Sequence, residues 1–301
     1  MNRIIVVGSY NTGLSMLVAR MPRRGETVLG RDYCEGPGGK GSNQAVAAAR
    51  LGGRVSFVGC VGRDRFGDAA LSLWNEEGVD SGQVRRSSKH TGLGFVTVDE
   101  SGANAIAVDP GANTDIDRAQ IDGALAGAAR GSVLLLQLEI PVALANAAIR
   151  AGKTRGLTVI LNPAPPAARG EIDLARVDVL TPNEVEFSRI TGASDLRRGA
   201  GALLDAGVGT IVVTLGHRGA FVGTTKESYS VSPPKVSAVD TTGAGDAFNG
   251  ALAVALSEGK GMRESVEFAN AAGALTVTKR EVIPALPSRK AVDGLLRKLR
   301  G

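Results

Sequence analysis

The chain has 301 residues, 43% hydrophobic and 22% charged, which suits one large soluble α/β domain or two ordinary ones with a sizeable core. With only His90 and His217, and with Cys34 and Cys60 far apart and in no CxxC pairing, the composition excludes a His-based metal cluster, argues against structural zinc and points to a reducing, cytoplasmic compartment. The net charge of +5 is scattered among 4% aromatics, a solvated Arg-rich surface and not a nucleic-acid platform, and no apolar run approaches the roughly 20 residues of a membrane span.

Arg3–Gly8 reads as a buried strand, a short apolar run ended by glycine; its core Ile4-Ile-Val-Val7 is too short for a signal peptide. Thr27–Glu35 reads as a more exposed strand, as do Leu93–Asp99 and Asn104–Val108, joined by the hairpin loop Asp99-Glu-Ser-Gly102. Between them lie an Ala-rich helix, Ser42–Leu51, a strand, Arg54–Val61, and a helix, Asp68–Glu77, stopped by Gly78. From Ser132 strands and helices alternate. Val133–Leu138, Thr158–Asn162, Val177–Thr181 and Thr210–Thr214 read as strands. Pro141–Gly152, Glu184–Thr191, Leu196–Ala206, Ala247–Leu256 and Met262–Thr278 read as helices. Such alternation with apolar strands predicts a parallel sheet covered on both faces. The early exposed strands break the rhythm and predict a small separate sheet, from about 11–40 and 90–110, grafted on a single domain of residues 1–301. No repeat, low-complexity segment or long linker divides the chain.

The stretch Asp240-Thr-Thr-Gly-Ala-Gly-Asp-Ala-Phe-Asn-Gly250 sets small, Gly-rich backbone ahead of an apolar helix, with Asp246 at the junction. Backbone N–H groups at a helix start form an anion site that the helix dipole reinforces. A carboxylate beside such a site can take a proton from a hydroxyl attacking a bound phosphate, which points to phosphoryl transfer. A second Gly-rich element, Gly36-Pro-Gly-Gly-Lys-Gly-Ser-Asn-Gln44, also precedes a helix. It is not a Walker A loop, because Cys34 occupies the first Gly position and Gly41 follows Lys40. It is either a flexible turn with Ser42 as helix cap or a close backbone approach to a polar ligand, with Lys40 and Asn43 supplying hydrogen bonds.

The strand ends carry further candidates, since α/β sheets bind ligands there. Asn11 in Gly8-Ser-Tyr-Asn-Thr-Gly13 is a turn residue or a ligand contact, and the segment lacks GxGxxG spacing. Glu139, beside Pro141, is a helix N-cap or a hydroxyl acceptor. Asn162-Pro-Ala-Pro-Pro166 sets a rigid turn. Asn183 and Glu186, three apart, make either a capping box or an oxygen pair orienting water around Mg²⁺. Thr214-Leu-Gly-His-Arg-Gly219 is a plain turn or a close approach to phosphates, with His217 and Arg218 exposed and Arg218 a candidate phosphate contact.

In order and over nearly the whole length, these elements resemble the phosphofructokinase-B (ribokinase-like) carbohydrate kinases. Gly38-Gly-Lys-Gly-Ser-Asn-Gln-Ala45 and the Asp240–Gly250 stretch carry the resemblance. Gly8-Ser-x-Asn11, Gln137-Leu-Glu139, Asn162-Pro-Ala-Pro165, Thr181-Pro-Asn-Glu184 and Thr214-Leu-Gly216 support it. The resemblance implies an α/β three-layer sandwich with a mostly parallel central sheet and a small β-sheet lid that often clasps a second copy. It implies an ATP- and Mg²⁺-dependent kinase for a sugar's primary hydroxyl, with D-ribose the leading substrate. Another pentose, a ketohexose or a nucleoside is the alternative, and a non-catalytic sugar-binding module a more distant one. Asp246 would be the base, and Gly243, Ala244 and Gly245 the anion hole. Asn11, Gly39, Lys40, Asn43 and Glu139 would hold the sugar. Asn183 and Glu186 would tune Mg²⁺ through water. With Gly245, Asn183, Thr214, Gly216, Gly219 and Asn270 would line the nucleotide site. Asp240 and Thr242 would belong to a monovalent-cation site.

Three positions depart from that pattern. Gly13 stands where an Asp that binds sugar hydroxyls is usual. Glu281-Val-Ile-Pro-Ala285 replaces Gly-Ala-Gln-x-Ser, and Ala285 has no side-chain oxygen, which speaks against activation by K⁺. Arg63 takes the place of an acid or Asn and is given no role.

Overall fold

The computed structural model describes residues 2–168 and 170–300. Its first half contains β1 (Arg3–Val7), β2 (Asn11–Val18), β3 (Gly30–Gly38), α1 (Lys40–Arg50), β4 (Arg54–Gly62), α2 (Arg65–Glu76), β5 (Asp80–Ser87), β6 (Gly92–Asp99), β7 (Asn104–Asp109) and α3 (Arg118–Ala126). Then come β8 (Val133–Leu136), α4 (Val142–Thr154), β9 (Thr158–Leu161), β10 (Val179–Leu180), α5 (Glu184–Thr191), α6 (Leu196–Asp205) and β11 (Thr210–Thr214). The hairpin β12 (Ala220–Gly223) and β13 (Ser228–Val231) precedes α7 (Ala244–Ser257), α8 (Met262–Thr276) and α9 (Arg289–Arg300).

Among the described residues a nine-stranded sheet runs β13-β12-β11-β10-β9-β8-β1-β4-β5. It is parallel from β11 to β5, and only the β12 and β13 pairings are antiparallel. Successive side chains of a strand point to opposite faces, so a strand buried on both must be apolar throughout. Ile4 and Val6 of β1 enter one core with α1, α2, α7, α8 and α9, while Ile5 and Val7 enter the other with α3, α4, α5 and α6. The result is the three-layer α/β sandwich. Among the described residues no helix is long and apolar enough to cross a membrane, and neither Cys34 nor Cys60 is in a disulfide.

The second sheet, β3-β2-β6-β7, has four strands. Here the structure corrects the sequence reading. Asn11–Val18, inside the predicted small sheet but not read as a strand, is one and runs parallel to β6, and the strand expected at Thr27–Glu35 lies at Gly30–Gly38. The polar edge strand β5, the hairpin β12–β13, and helices α3 and α9 were not anticipated. Ser42 does not cap α1: Gly39 is the N-cap, and buried Ser42 accepts a bond from Trp74 Nε1 at 3.0 Å.

Candidate active site

Two helix starts meet at the carboxyl end of the central sheet. Asp246 lies in the first turn of α7, 8% exposed. The N-cap, Gly243, has φ 80°, and a Cβ there would lie 2.6 Å from Val282 Cγ1, so the turn requires glycine. The Asp246 carboxylate is held from α1: Asn43 Nδ2 donates to Oδ2 and Gln44 Nε2 to Oδ1, both at 2.9 Å. Burial pushes the Asp246 carboxyl above its ordinary range, against the pull of Lys40, Asn43 and Gln44. Gly245, at the same helix start, is exposed. Ala244 N–H is turned back to Thr241 O at 3.3 Å, so this member of the expected anion hole is already engaged.

Glu139 settles beside α1, not on a helix of its own. Pro141 is the N-cap of α4, so the capping alternative for Glu139 does not hold. Its Oε2 accepts from Lys40 N–H at 2.8 Å, Ser9 Oγ at 2.5 Å and Asn11 Nδ2 at 3.5 Å. Asn11 Oδ1 in turn accepts from Asn113 Nδ2 at 2.8 Å. Gly39, with φ 86°, lets this chain pass: a Cβ would sit 2.7 Å from Asn11 N. Burial works against the Lys40 ammonium, but Asp246, Glu139 and Glu186 outweigh it and hold its pKa above the usual value. Asn11, Gly39, Lys40, Asn43, Glu139 and Asp246 are thus one cluster.

Asn183 and Glu186 form the capping box of α5. Asn183 N–H donates to Glu186 Oε2 and Glu186 N–H to Asn183 Oδ1, each at 2.9 Å. Asn183 Nδ2 also donates to Glu186 Oε1 at 2.9 Å. Burial raises the pKa of Glu186, the Asn183 amide and Lys40 lower it, and Asp246 raises it, so this box shares the field of the first cluster. Thr214 meets Asn183 in a parallel bridge.

Other candidates have local partners. Gly216 begins a short 3-10 turn, Gly216–Arg218. Gly219 gives room for Val231 O, 2.1 Å from where its Cβ would be, and Asn270 Nδ2 donates to that same oxygen at 2.9 Å. Both therefore secure the end of β13, and no hydrogen bond among the described residues links them to the Asp246 group. Arg218 pairs with Glu184. Asp240 Oδ1 accepts from Thr242 N–H at 2.9 Å. Among the described residues no group of three or more His, Cys, Asp or Glu could hold a metal ion.

A model of the pfkB carbohydrate kinases matches residues 1–289. The chain belongs to that family. It is 36% identical to the ribokinase of Haemophilus influenzae over 95% of this chain and 96% of that one. The structure superposes on a Thermotoga maritima ribokinase with a TM-score of 0.90, at 37% identity, covering 99% of this chain and 100% of that one. For an Arabidopsis thaliana ribokinase complexed with ribose and ATP the TM-score is 0.85, at 33% identity, covering 98% and 99%. The fold is ribokinase-like.

Sequence reasoning missed part of this kinase's polar interior. Gln137, Asn162 and Thr181 each follow directly on a neighbouring strand, β8, β9 and β10, and each is buried. The signal was an amide or hydroxyl just past three successive apolar runs, where α/β sheets build their sites. Gln44 was quoted within its motif but given no task.

Proposed function

We propose that this chain is an ATP-dependent kinase that converts D-ribose to D-ribose 5-phosphate, acting in the cytoplasm on small molecules, with no nucleic-acid or membrane partner. One observation carries the reading: a buried acid at a helix start, Asp246, bonded to the helix that also presents Lys40 and Asn43. The ribokinases to which the chain is similar support the choice of sugar.

In this reading the primary hydroxyl attacks the γ-phosphorus in line, a new O–P bond forms, and the bond to the ADP oxygen breaks. Asp246 takes the hydroxyl proton as the O–P bond forms. Gly243 and Gly245, at the start of α7, stabilise the moving phosphoryl group with their amides, joined by Ala244 once its N–H leaves Thr241 O. Asn11, Gly39, Lys40, Asn43 and Glu139 orient the sugar, and the ammonium of Lys40 keeps Asp246 ionised. Asn183, Thr214, Gly216, Gly219 and Asn270 border the nucleotide, the last two by fixing the end of β13. Mg²⁺ would neutralise charge on the phosphates. Asn183 and Glu186 fit it only through water, since Glu186 already accepts at both oxygens. A monovalent cation fits poorly, since Ala285 has no side-chain oxygen to complete a site with Asp240 and Thr242. The four-stranded sheet is read as a lid that excludes water on closing, and as the contact for a homodimer.

A second reading, a kinase for another pentose, a ketohexose or a nucleoside, is favoured by one feature. Gly13 pairs with Gly36 on one side and Gly94 on the other. This row lies on the face of β2 that carries Asn11, so the lid presents bare backbone there.

The decisive variant is Asp246→Asn. It should lower kcat by about 10²–10⁴-fold, the usual worth of a general base, while the sugar Kd changes by no more than a few-fold. A folded variant with near-normal ADP production would remove Asp246 from this role.

A further inference from the structure

Gln44 belongs to the Gly-rich motif, yet the mechanism above gives it nothing to do. It is wholly buried on α1. Its Nε2 donates to two oxygens, Asp246 Oδ1 at 2.9 Å and Asn162 Oδ1 at 3.1 Å, and its Oε1 accepts from Gln137 Nε2. Both amide hydrogens are thereby used. A flipped amide would turn an oxygen onto two acceptor oxygens and an NH₂ onto a donor, so the neighbours fix its orientation.

The bonds continue beyond it. Asn162 Nδ2 donates to Thr181 O at 3.0 Å, and Thr181 Oγ1 to Asn249 Oδ1 at 2.6 Å. Asn249 Nδ2 donates to Gly245 O at 2.8 Å. This chain leaves α1, crosses the ends of β9 and β10, and returns to α7 one residue before Asp246. Asn43 is bonded differently. Its Nδ2 meets Asp246 Oδ2, but its own Oδ1 is buried without a hydrogen-bond partner among the described residues. The two carboxylate oxygens are therefore unequal. Oδ1 faces an amide that can only donate; Oδ2 faces one with a spare acceptor that can turn to receive an O–H.

We infer that Gln44 is a positioning residue for the base: it reserves Asp246 Oδ1 as a fixed acceptor and leaves Oδ2 to receive the sugar proton. The inference rests on Asp246 being the base. Lys40 from α1, Glu139 from the loop after β8 and Glu186 from α5 are the charged groups that face this carboxylate. Because the Gln44 bond favours the ionised acid, its loss raises the carboxyl pKa, and the base form is then lost at a higher pH as the solution is acidified.

The test compares Gln44→Met, Asp246→Asn and the double variant, reading the pH dependence of the phosphoryl-transfer step by rapid quench, together with sugar KM. Gln44→Met is expected to lower kcat about 10–100-fold, move the acid limb up by about half a pH unit to one unit, and leave KM within about threefold. In the double variant Gln44→Met should add no further loss to Asp246→Asn. An acid limb that stays put, or losses that multiply, overturns the inference while leaving Asp246 as base. Near-normal turnover by Asp246→Asn overturns both. Should Gln44→Met fail to fold, Asn162→Ala carries the test, since Asn162 touches Gln44 and not Asp246. The acid limb should again move up, and an unmoved limb overturns the inference.

Discussion

Asp246 has to be ionised to take a proton, yet it sits among atoms that disfavour charge. Burial alone would neutralise it; the Lys40 ammonium and two amide donors work the other way. The balance leaves the acid more basic than a solvated aspartate, which suits a proton acceptor, and keeps water out of its way. Gly13 presents the opposite case, a place where a polar group is missing. Its nearest neighbour to an added Cβ is Gly36 O at 3.6 Å, so a side chain has room. A site that bonds a substrate hydroxyl rejects analogues lacking it far more strongly than a bare wall does. Gly13→Asp is therefore expected to raise kcat/KM for ribose about tenfold or more and to widen its lead over 2-deoxyribose by a similar factor, since a hydrogen bond to a charged group is worth about 1.5–3 kcal/mol. Measured on both sugars, an unchanged ratio would mean that a side chain at position 13 does not reach the 2-hydroxyl or that another group already serves it.

At the scale of elements, what the sequence disclosed followed the strength of local signals. Glu184–Thr191 and Thr210–Thr214 were read with their observed limits, the first because a capping box opens it and Gly192 closes it, the second because five residues of β-branched character stand between turns. Asn11–Val18 was not read as a strand because Asn11 and Gly13 are turn formers, and only pairing with β3 and with β6, far along the chain, makes the segment one. In α9, Val292, Leu295 and Leu296 carried a helical spacing that went unused. Asn43 and Asp246 could each be named, but the bond between them spans 203 residues, and Gln44 shows its purpose only once α7 lies against α1. That contact depends on Gly250. A Cβ there would lie 2.7 Å from Ala47 Cβ and 2.8 Å from Gln44 O. Alanine favours a helix interior by about 1 kcal/mol, but overpacking of a rigid contact costs about 1–3 kcal/mol. Gly250→Ala should lower Tm and, by prising α7 from α1, reduce kcat more than sugar affinity. A variant with unchanged or raised Tm would mean that the helices part without cost.

For the whole molecule, the small sheet poses a problem that one chain does not solve. Its strands alternate, so Asn11 and the glycine row line one face while Leu14, Met16 and Phe95 line the other, with Leu14 and Phe95 directly paired. Met16 is 43% and Phe95 49% exposed, and Tyr33 near them 60%. An apolar sheet face left in water is a liability, and a second copy of the same sheet is its simplest cover, because a twofold interface needs only one self-complementary patch. On the proposed lid reading, joining two such sheets would also stiffen the cover over each sugar site. Phe95→Arg places a charge in that patch without touching the Asp246 cluster. On the proposed homodimer contact, the unaltered chain should sediment as a dimer at micromolar concentration and the variant as a monomer, with sugar KM raised several-fold and the acid limb of the phosphoryl-transfer step where it was. A wild-type chain that sediments as a monomer at those concentrations would refute the clasp, and the exposed face would then have to be covered by something other than its own copy.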